Sequence, residues 1–235
     1  MSMSLNPRNG GARRILVVDD EKFSRSIILR ILKDILPEHE VVQAADGGEA
    51  LNHLRGGSDA FALVICDFNM PVLTGLHFLK AVRTGFEGIR HDLPVVMLTG
   101  HADSALVQAA LALDVDGFLV KPVSKQALQT RLEYVLGGGA GLKTADQYGN
   151  VDIEDISQAV LKGTAPVVDV QPRTAAAGRP VGLAKLELPA TLAADVVAPT
   201  GEVLLSAGTS LTPRLLTRLK ELHGVGIVPG SVQIQ

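Results

Sequence analysis

A chain of 235 residues, 46% of them hydrophobic, is long and apolar enough to bury a core in one large domain or two small ones, which excludes wholesale disorder. A formal net charge of −3 gives no general footprint for nucleic acid, and a single cysteine excludes an internal disulfide framework, which fits a reducing compartment. The opening MSMSLNPRNGGA lacks the apolar core of a signal peptide and no apolar run reaches the ~18 residues of a membrane span, so a soluble, cytoplasmic protein without membrane contact is expected.

Residues 1–12 are polar and are expected to be disordered. From 13 to 137 two patterns alternate. Short apolar runs at Ile15–Val18, Val41–Ala45, Phe61–Cys66, Val95–Leu98 and Gly117–Val120 are rich in β-branched residues and nearly continuous, as in parallel strands buried on both faces. Between them lie segments of helical period: 22–36, stopped by Pro37, then 48–54, 75–83, 104–113 and 125–136, the last with Ser124 as N-cap. Five strands alternating with five helices predict an open α/β sheet.

After Leu136, GGGAG reads as a helix stop and a joint. Residues 138–182 read as linker, with one short amphipathic helix at 152–162 through Ile153, Ile156, Val160 and Leu161. Order is expected to resume at 183–235 as a small α+β unit. There, ADVVAPTGEVLLSAGTSL predicts two strands around a Pro-Thr-Gly turn, TPRLLTRLKELHGV predicts a helix capped by Thr212 with Pro213 at its first position, and GSVQIQ alternates like a final strand.

Ligands of an open α/β sheet sit outside the carboxyl ends of its strands. Those ends carry Asp19, Asp20 and Glu21 after the first strand, Asp67 after the third, Thr99 after the fourth and Lys121 after the fifth. Crowded acids raise one another's pKa unless a cation holds them. Oxygen donors without His or Cys suit Mg²⁺, which takes few carboxylates and often shares a phosphate with them. A carboxylate beside such an ion can attack phosphorus, with a lysine and a hydroxyl holding the phosphoryl oxygens.

The motifs VVDDE, VICDFNMPVLTG, VVMLTG and GFLVKP, in this order and spacing, resemble a bacterial response-regulator receiver domain over residues 13–137. The resemblance implies a flavodoxin-like (βα)5 fold with strand order 2-1-3-4-5. It implies Asp67 as phospho-acceptor, Asp19, Asp20 and Asp67 as Mg²⁺ carboxylates, and the carbonyl of Asn69 as a further ligand. Thr99 and Lys121 would contact the phosphoryl group, and Phe118 would be the switch aromatic that biases a surface of the fourth helix, fifth strand and fifth helix. Asn69 and His101 would flank the route of hydrolytic water, and the Lys121–Pro122 bond would be cis. A sensor histidine kinase or phosphotransfer protein would supply the phosphoryl group. The protein would be a signalling switch and not an enzyme with a released product. Its output would be an unknown protein partner or a homodimer through the switch surface.

Other features read as structural. Cys66 is a small buried hydrophobe. His91-Asp92 has no second histidine at ligand spacing, and GGGAG lacks the lysine and the preceding strand of a phosphate loop. The tail is similar to a β-rich segment found beside HD-GYP phosphodiesterase domains, but the catalytic signatures of that enzyme are absent. Its single helix, with Arg214, Arg218 and Lys220 read as a solvated face, falls short of a helix-turn-helix, which places DNA binding below a protein-interaction role. A transcriptional regulator with an unrecognised DNA-binding tail and a pseudo-receiver that never takes phosphate are the alternatives.

Overall fold

The computed structural model describes residues 14–100, 104–137, 142, 144–154, 157, 178–199, 201 and 203–235. The alternating pattern folds as expected into β1 (Arg14–Val18), α1 (Lys22–Ile35), β2 (Glu40–Ala44), α2 (Gly47–Leu54), β3 (Phe61–Asp67), α3 (Gly75–Arg83), β4 (Val95–Thr99), α4 (Ser104–Ala112), β5 (Gly117–Val120) and α5 (Lys125–Leu136). The five strands are parallel in the order β2-β1-β3-β4-β5, a flavodoxin-like sheet.

The period of two in the strands explains why the runs are continuous. Ile15 and Val17 enter one core with Ile28 and Leu32 of α1 and Leu128 and Leu132 of α5. Leu16 and Val18 enter the other, with Leu54 of α2, Leu79 of α3 and Val107 of α4. Side chains that alternate between two covered faces must all be apolar, and every residue of β3 is buried. Three of the helices, α2, α3 and α5, begin where short polar side chains accept a backbone N–H: Asp46 from Glu49 at 2.8 Å, Thr74 from His77 at 3.5 Å and Ser124 from Ala127 at 3.2 Å.

The second core does not end with the receiver. It continues into Leu183, Leu192, Leu204, Leu216 and Leu219 of the C-terminal part. The junction is α4, where Leu106, Val107, Ala109, Ala110 and Leu111 are all buried. Of the α4 residues from Leu106 on, only Gln108 and Ala112 are partly exposed, and a helix this apolar is covered on more than one side. One side of α4 packs on the receiver and another on β9 (Val203–Leu205).

The C-terminal part is built from short antiparallel pairs. β6 (Arg179–Gly182) pairs with β11 (Ser231–Ile234), β7 (Ala190–Thr191) with β10 (Ser210–Leu211), and β8 (Val196–Val197) with β9. The expected hairpin, final strand and helix are present. The helix, α7 (Pro213–Gly224), follows an N-cap Thr212 that accepts from Leu215 N at 3.1 Å. β6 lies in the stretch read as linker. It carries a glycine and a proline and finds its partner about fifty residues away, so no local pattern marks it.

The expectation of a solvated Arg face on α7 is corrected: Arg214 and Arg218 are 5% and 2% exposed. Ahead of this part, α6 (Ala145–Gly149) buries Tyr148, whose hydroxyl donates to Asp114 at 2.9 Å. Lys80 of α3 donates to the Val151 carbonyl at 2.7 Å, and Thr74 to the buried Ser157 at 3.4 Å. This segment thus runs along α3. The helix expected at 152–162 lies mostly outside the described residues, as do residues 1–12 and His101.

Candidate functional site

Parallel strands in register deliver their carboxyl ends to one edge. Val18 is level with Cys66, Asp67 with Leu98, and Thr99 with Val120. The residues at or just beyond these positions are Asp19, Asp67, Thr99 and Lys121, so the sheet places them side by side. One oxygen from each of Asp19, Asp20 and Asp67 lies within 4.8 Å of the others. Asp19 and Asp67 are buried and Asp20 is exposed.

Lys121 joins the acids. Its Nζ lies 2.7 Å from Asp67 Oδ2 and 3.0 Å from Asp19 Oδ2. Asp19 is held by its own segment: Glu21 N donates to Oδ1 at 2.8 Å and Ser24 to Oδ2 at 2.7 Å, while Arg25 donates to its carbonyl. Burial pushes the Asp67 carboxyl up to about 6, against the opposing pull of Lys121 and of a backbone hydrogen bond from Asn69. Lys121 is raised by its two carboxylate partners although burial acts against it. The pocket is therefore short of positive charge. An oxygen-only donor set with two buried carboxylates and one exposed one fits a hard divalent cation.

The other sequence candidates lie around this cluster. The buried Thr99 hydroxyl donates to the Gly100 carbonyl at 3.0 Å, and Lys121 N donates to the Thr99 carbonyl at 2.9 Å. The Lys121–Pro122 peptide is cis. Phe118 is 4% exposed, and its ring stacks 6.3 Å from that of Phe68, the residue after Asp67. Cys66 is buried and donates to the Asp67 carbonyl, and burial pushes its thiol pKa up, so it is inert as read.

Two features escaped the sequence. Gly75 opens α3 so close to Asp67 that a Cβ would lie 2.1 Å from the Asp67 carbonyl oxygen. Its place in VLTG was visible, but its role needs the backbone approach. Ser24 and Arg25, which hold Asp19, sit within one turn of α1, a spacing that could have flagged them.

Residues 15–133 match the response regulator receiver domain family. A chemotaxis protein CheY homologue of Campylobacter jejuni is 38% identical over 133 residues, covering 57% of this chain and 99% of the relative. The chemotaxis protein CheY of Pseudomonas aeruginosa is 38% identical over 122 residues, covering 52% of this chain and 94% of the relative. Among solved structures, CheY4 of Vibrio cholerae is 36% identical with a TM-score of 0.46, covering 52% of this chain and 98% of that one. With its matched segment spanning half its length and its acidic cluster at the strand ends, the chain belongs to the response regulator receiver domain family.

Proposed function

We propose that the protein is a two-component response regulator switched by phosphorylation of Asp67. The observation that carries this reading is the buried Asp67 carboxylate, 2.7 Å from Lys121 and grouped with Asp19 and Asp20. A histidine kinase or phosphotransfer protein presents a phosphohistidine. An Asp67 oxygen attacks phosphorus, an O–P bond forms, and the N–P bond breaks with its electron pair returning to the imidazole. Asp19, Asp20, Asp67 and the Asn69 carbonyl would hold Mg²⁺, which when bound neutralises charge on the phosphoryl oxygens. Lys121 supplies a fixed positive charge to the same oxygens, and the Thr99 hydroxyl turns from Gly100 toward them. Phe118 follows Thr99 and passes the change to the α4–β5–α5 surface.

The protein is a signalling switch of the cytoplasm rather than an enzyme with a released product. The C-terminal part serves as its output or interaction unit, and its likeness to the segment beside HD-GYP domains fits that role. Burial of Arg214 and Arg218 removes the basic helix face that a DNA-binding reading would need, which favours protein contacts.

The test is incubation with Mg²⁺ and acetyl phosphate, read by intact mass and by size, with Asp67→Ala and a chelator as controls. One added phosphoryl group, lost in both controls, supports the reading. Mg²⁺ binding without phosphoryl uptake from either acetyl phosphate or a phosphorylated histidine kinase would make the chain a pseudo-receiver.

A further inference from the structure

Tyr148, Val151, Glu154 and Ser157 lie beyond the segment that matches the receiver family, residues 15–133, yet they contact the receiver. Their contacts with α3 keep a register. Lys80 Nζ donates to the Val151 carbonyl at 2.7 Å, His77 Nε2 faces Glu154 Oε2 at 3.6 Å, and the Thr74 hydroxyl donates to Ser157 Oγ at 3.4 Å. Each step is three residues on both sides and in opposite directions, so the segment runs antiparallel to α3 and reaches its first turn. Ser157 N donates to the Ile153 carbonyl at 2.9 Å, the bond of a helical turn.

This register ends behind the candidate site. Thr74 and Ser157 are both fully buried. Thr74 caps α3, and the next residue, Gly75, lies against the Asp67 carbonyl and donates its N–H to the Phe68 carbonyl at 3.0 Å. Between Asp67 and Thr74 runs the loop that carries the Asn69 carbonyl. That loop is strained: Leu73 N donates to the Pro71 carbonyl at 2.7 Å across Val72, whose φ is 67°. Such a bond around a positive φ is the rarer form of γ-turn, and a β-branched residue adopts it at a cost. Strain of this kind persists only where the surroundings hold it.

The contacts along α3 differ in weight. The His77–Glu154 pair is open to water on the Glu154 side and contributes little. The Thr74–Ser157 pair is shut away from water, where a hydroxyl without its partner is costly. Thr74 Oγ also accepts from His77 N at 3.5 Å and meets His77 Nδ1 at 2.9 Å. Its position is therefore set by α3 on one side and by Ser157 on the other.

We propose that Ser157 is a positioning residue for the Asp67 site. It fixes Thr74, Thr74 fixes the end of the strained loop, and the loop presents the Asn69 carbonyl to the divalent cation. This rests on the reading of Asp19, Asp20, Asp67 and Asn69 as the Mg²⁺ site. Tyr148 anchors the same segment elsewhere, on Asp114 ahead of β5, at the edge of the sheet opposite the site. Loss of the Ser157 hydroxyl therefore lowers cation affinity, while loss of the Tyr148 hydroxyl lowers stability alone.

The test measures Mg²⁺ affinity of the full chain by calorimetry, with denaturant unfolding alongside. Ser157→Ala is expected to bind Mg²⁺ about 5-fold more weakly, the worth of one ordinary hydrogen bond. Its phosphoryl uptake from acetyl phosphate is expected to recover the wild-type rate once Mg²⁺ is saturating. Tyr148→Phe is expected to lose stability and keep wild-type affinity. In a Thr74→Val chain, adding Ser157→Ala is expected to weaken binding no further, because both changes remove the same hydroxyl pair. If Thr74→Val fails to fold, the contrast of Ser157→Ala with Tyr148→Phe carries the test. Wild-type affinity in Ser157→Ala, an equal loss in Tyr148→Phe, or a further loss in the double variant overturns the positioning role and leaves the receiver reading standing. A wild-type chain that binds Mg²⁺ no better than Asp67→Asn overturns the metal site, and the positioning role with it.

Discussion

The two halves of this chain are stabilised differently. The receiver has strands of four to seven residues, parallel and covered on both faces. The C-terminal part has strands of two to four residues in three separate pairs, none of which closes a core by itself. It shares a hydrophobic core with the receiver through α4. The difference teaches where each half's information lies: in local periodicity for the receiver, in long-range contact for the tail.

The largest effects should fall on the strand ends. Asp67→Asn should abolish phosphoryl uptake from acetyl phosphate while leaving Mg²⁺ binding weakened and the fold intact, as intact mass and circular dichroism would show. Lys121→Met removes the only cation that the described structure places on both buried acids, Asp19 and Asp67. Uptake should slow on the order of 100-fold in single-turnover kinetics, the usual cost of one preorganised charge partner. A rate unchanged by this substitution would detach Lys121 from the chemistry.

Stability probes sharpen the comparison further. Gly75→Ala forces a Cβ against the Asp67 backbone, where no flexible side chain can yield. It should cost about 3 kcal/mol in denaturant unfolding. Leu219→Ala, at a fully buried position of α7, should also cost about 3 kcal/mol through lost burial and a cavity. Because its core is continuous with α4, the loss should shift unfolding of both halves together; separate transitions would show that the tail folds independently. At the small end, the Lys125–Asp34 pair spans 3.2 Å between half-exposed side chains. Lys125→Ala should change stability by less than about 0.5 kcal/mol.

How much was legible in the sequence follows from these contrasts. Asp19, Asp67, Thr99 and Lys121 stood out because each ends or follows an apolar run, and parallel register turns that position into proximity. Thr212, Pro213 and Ser124 were readable because capping is local. β6 was not, because Arg179–Gly182 becomes a strand only by meeting Ser231–Ile234. The charges of α7 misled for a related reason: Arg214 looks solvated until the fold brings Asp116 to it, and Arg218, whose partner Glu221 lies on the same helix, until the fold brings the Tyr134 ring and Gly117 against it. One signal was present and unused. SALVQAALA of α4 has only Ser104 and Gln108 as polar residues, and a helix with so wide an apolar surface announces a second covering layer.

The central claim is that Asp67 accepts the phosphoryl group. The most direct measurement is peptide mapping after incubation with Mg²⁺ and a phosphodonor, with the acyl phosphate trapped by borohydride reduction. The account predicts reduction at Asp67 alone, dependent on Mg²⁺ and on donor. Reduction at another carboxylate, or none from a chain that binds Mg²⁺ and meets a phosphorylated histidine kinase, would contradict it.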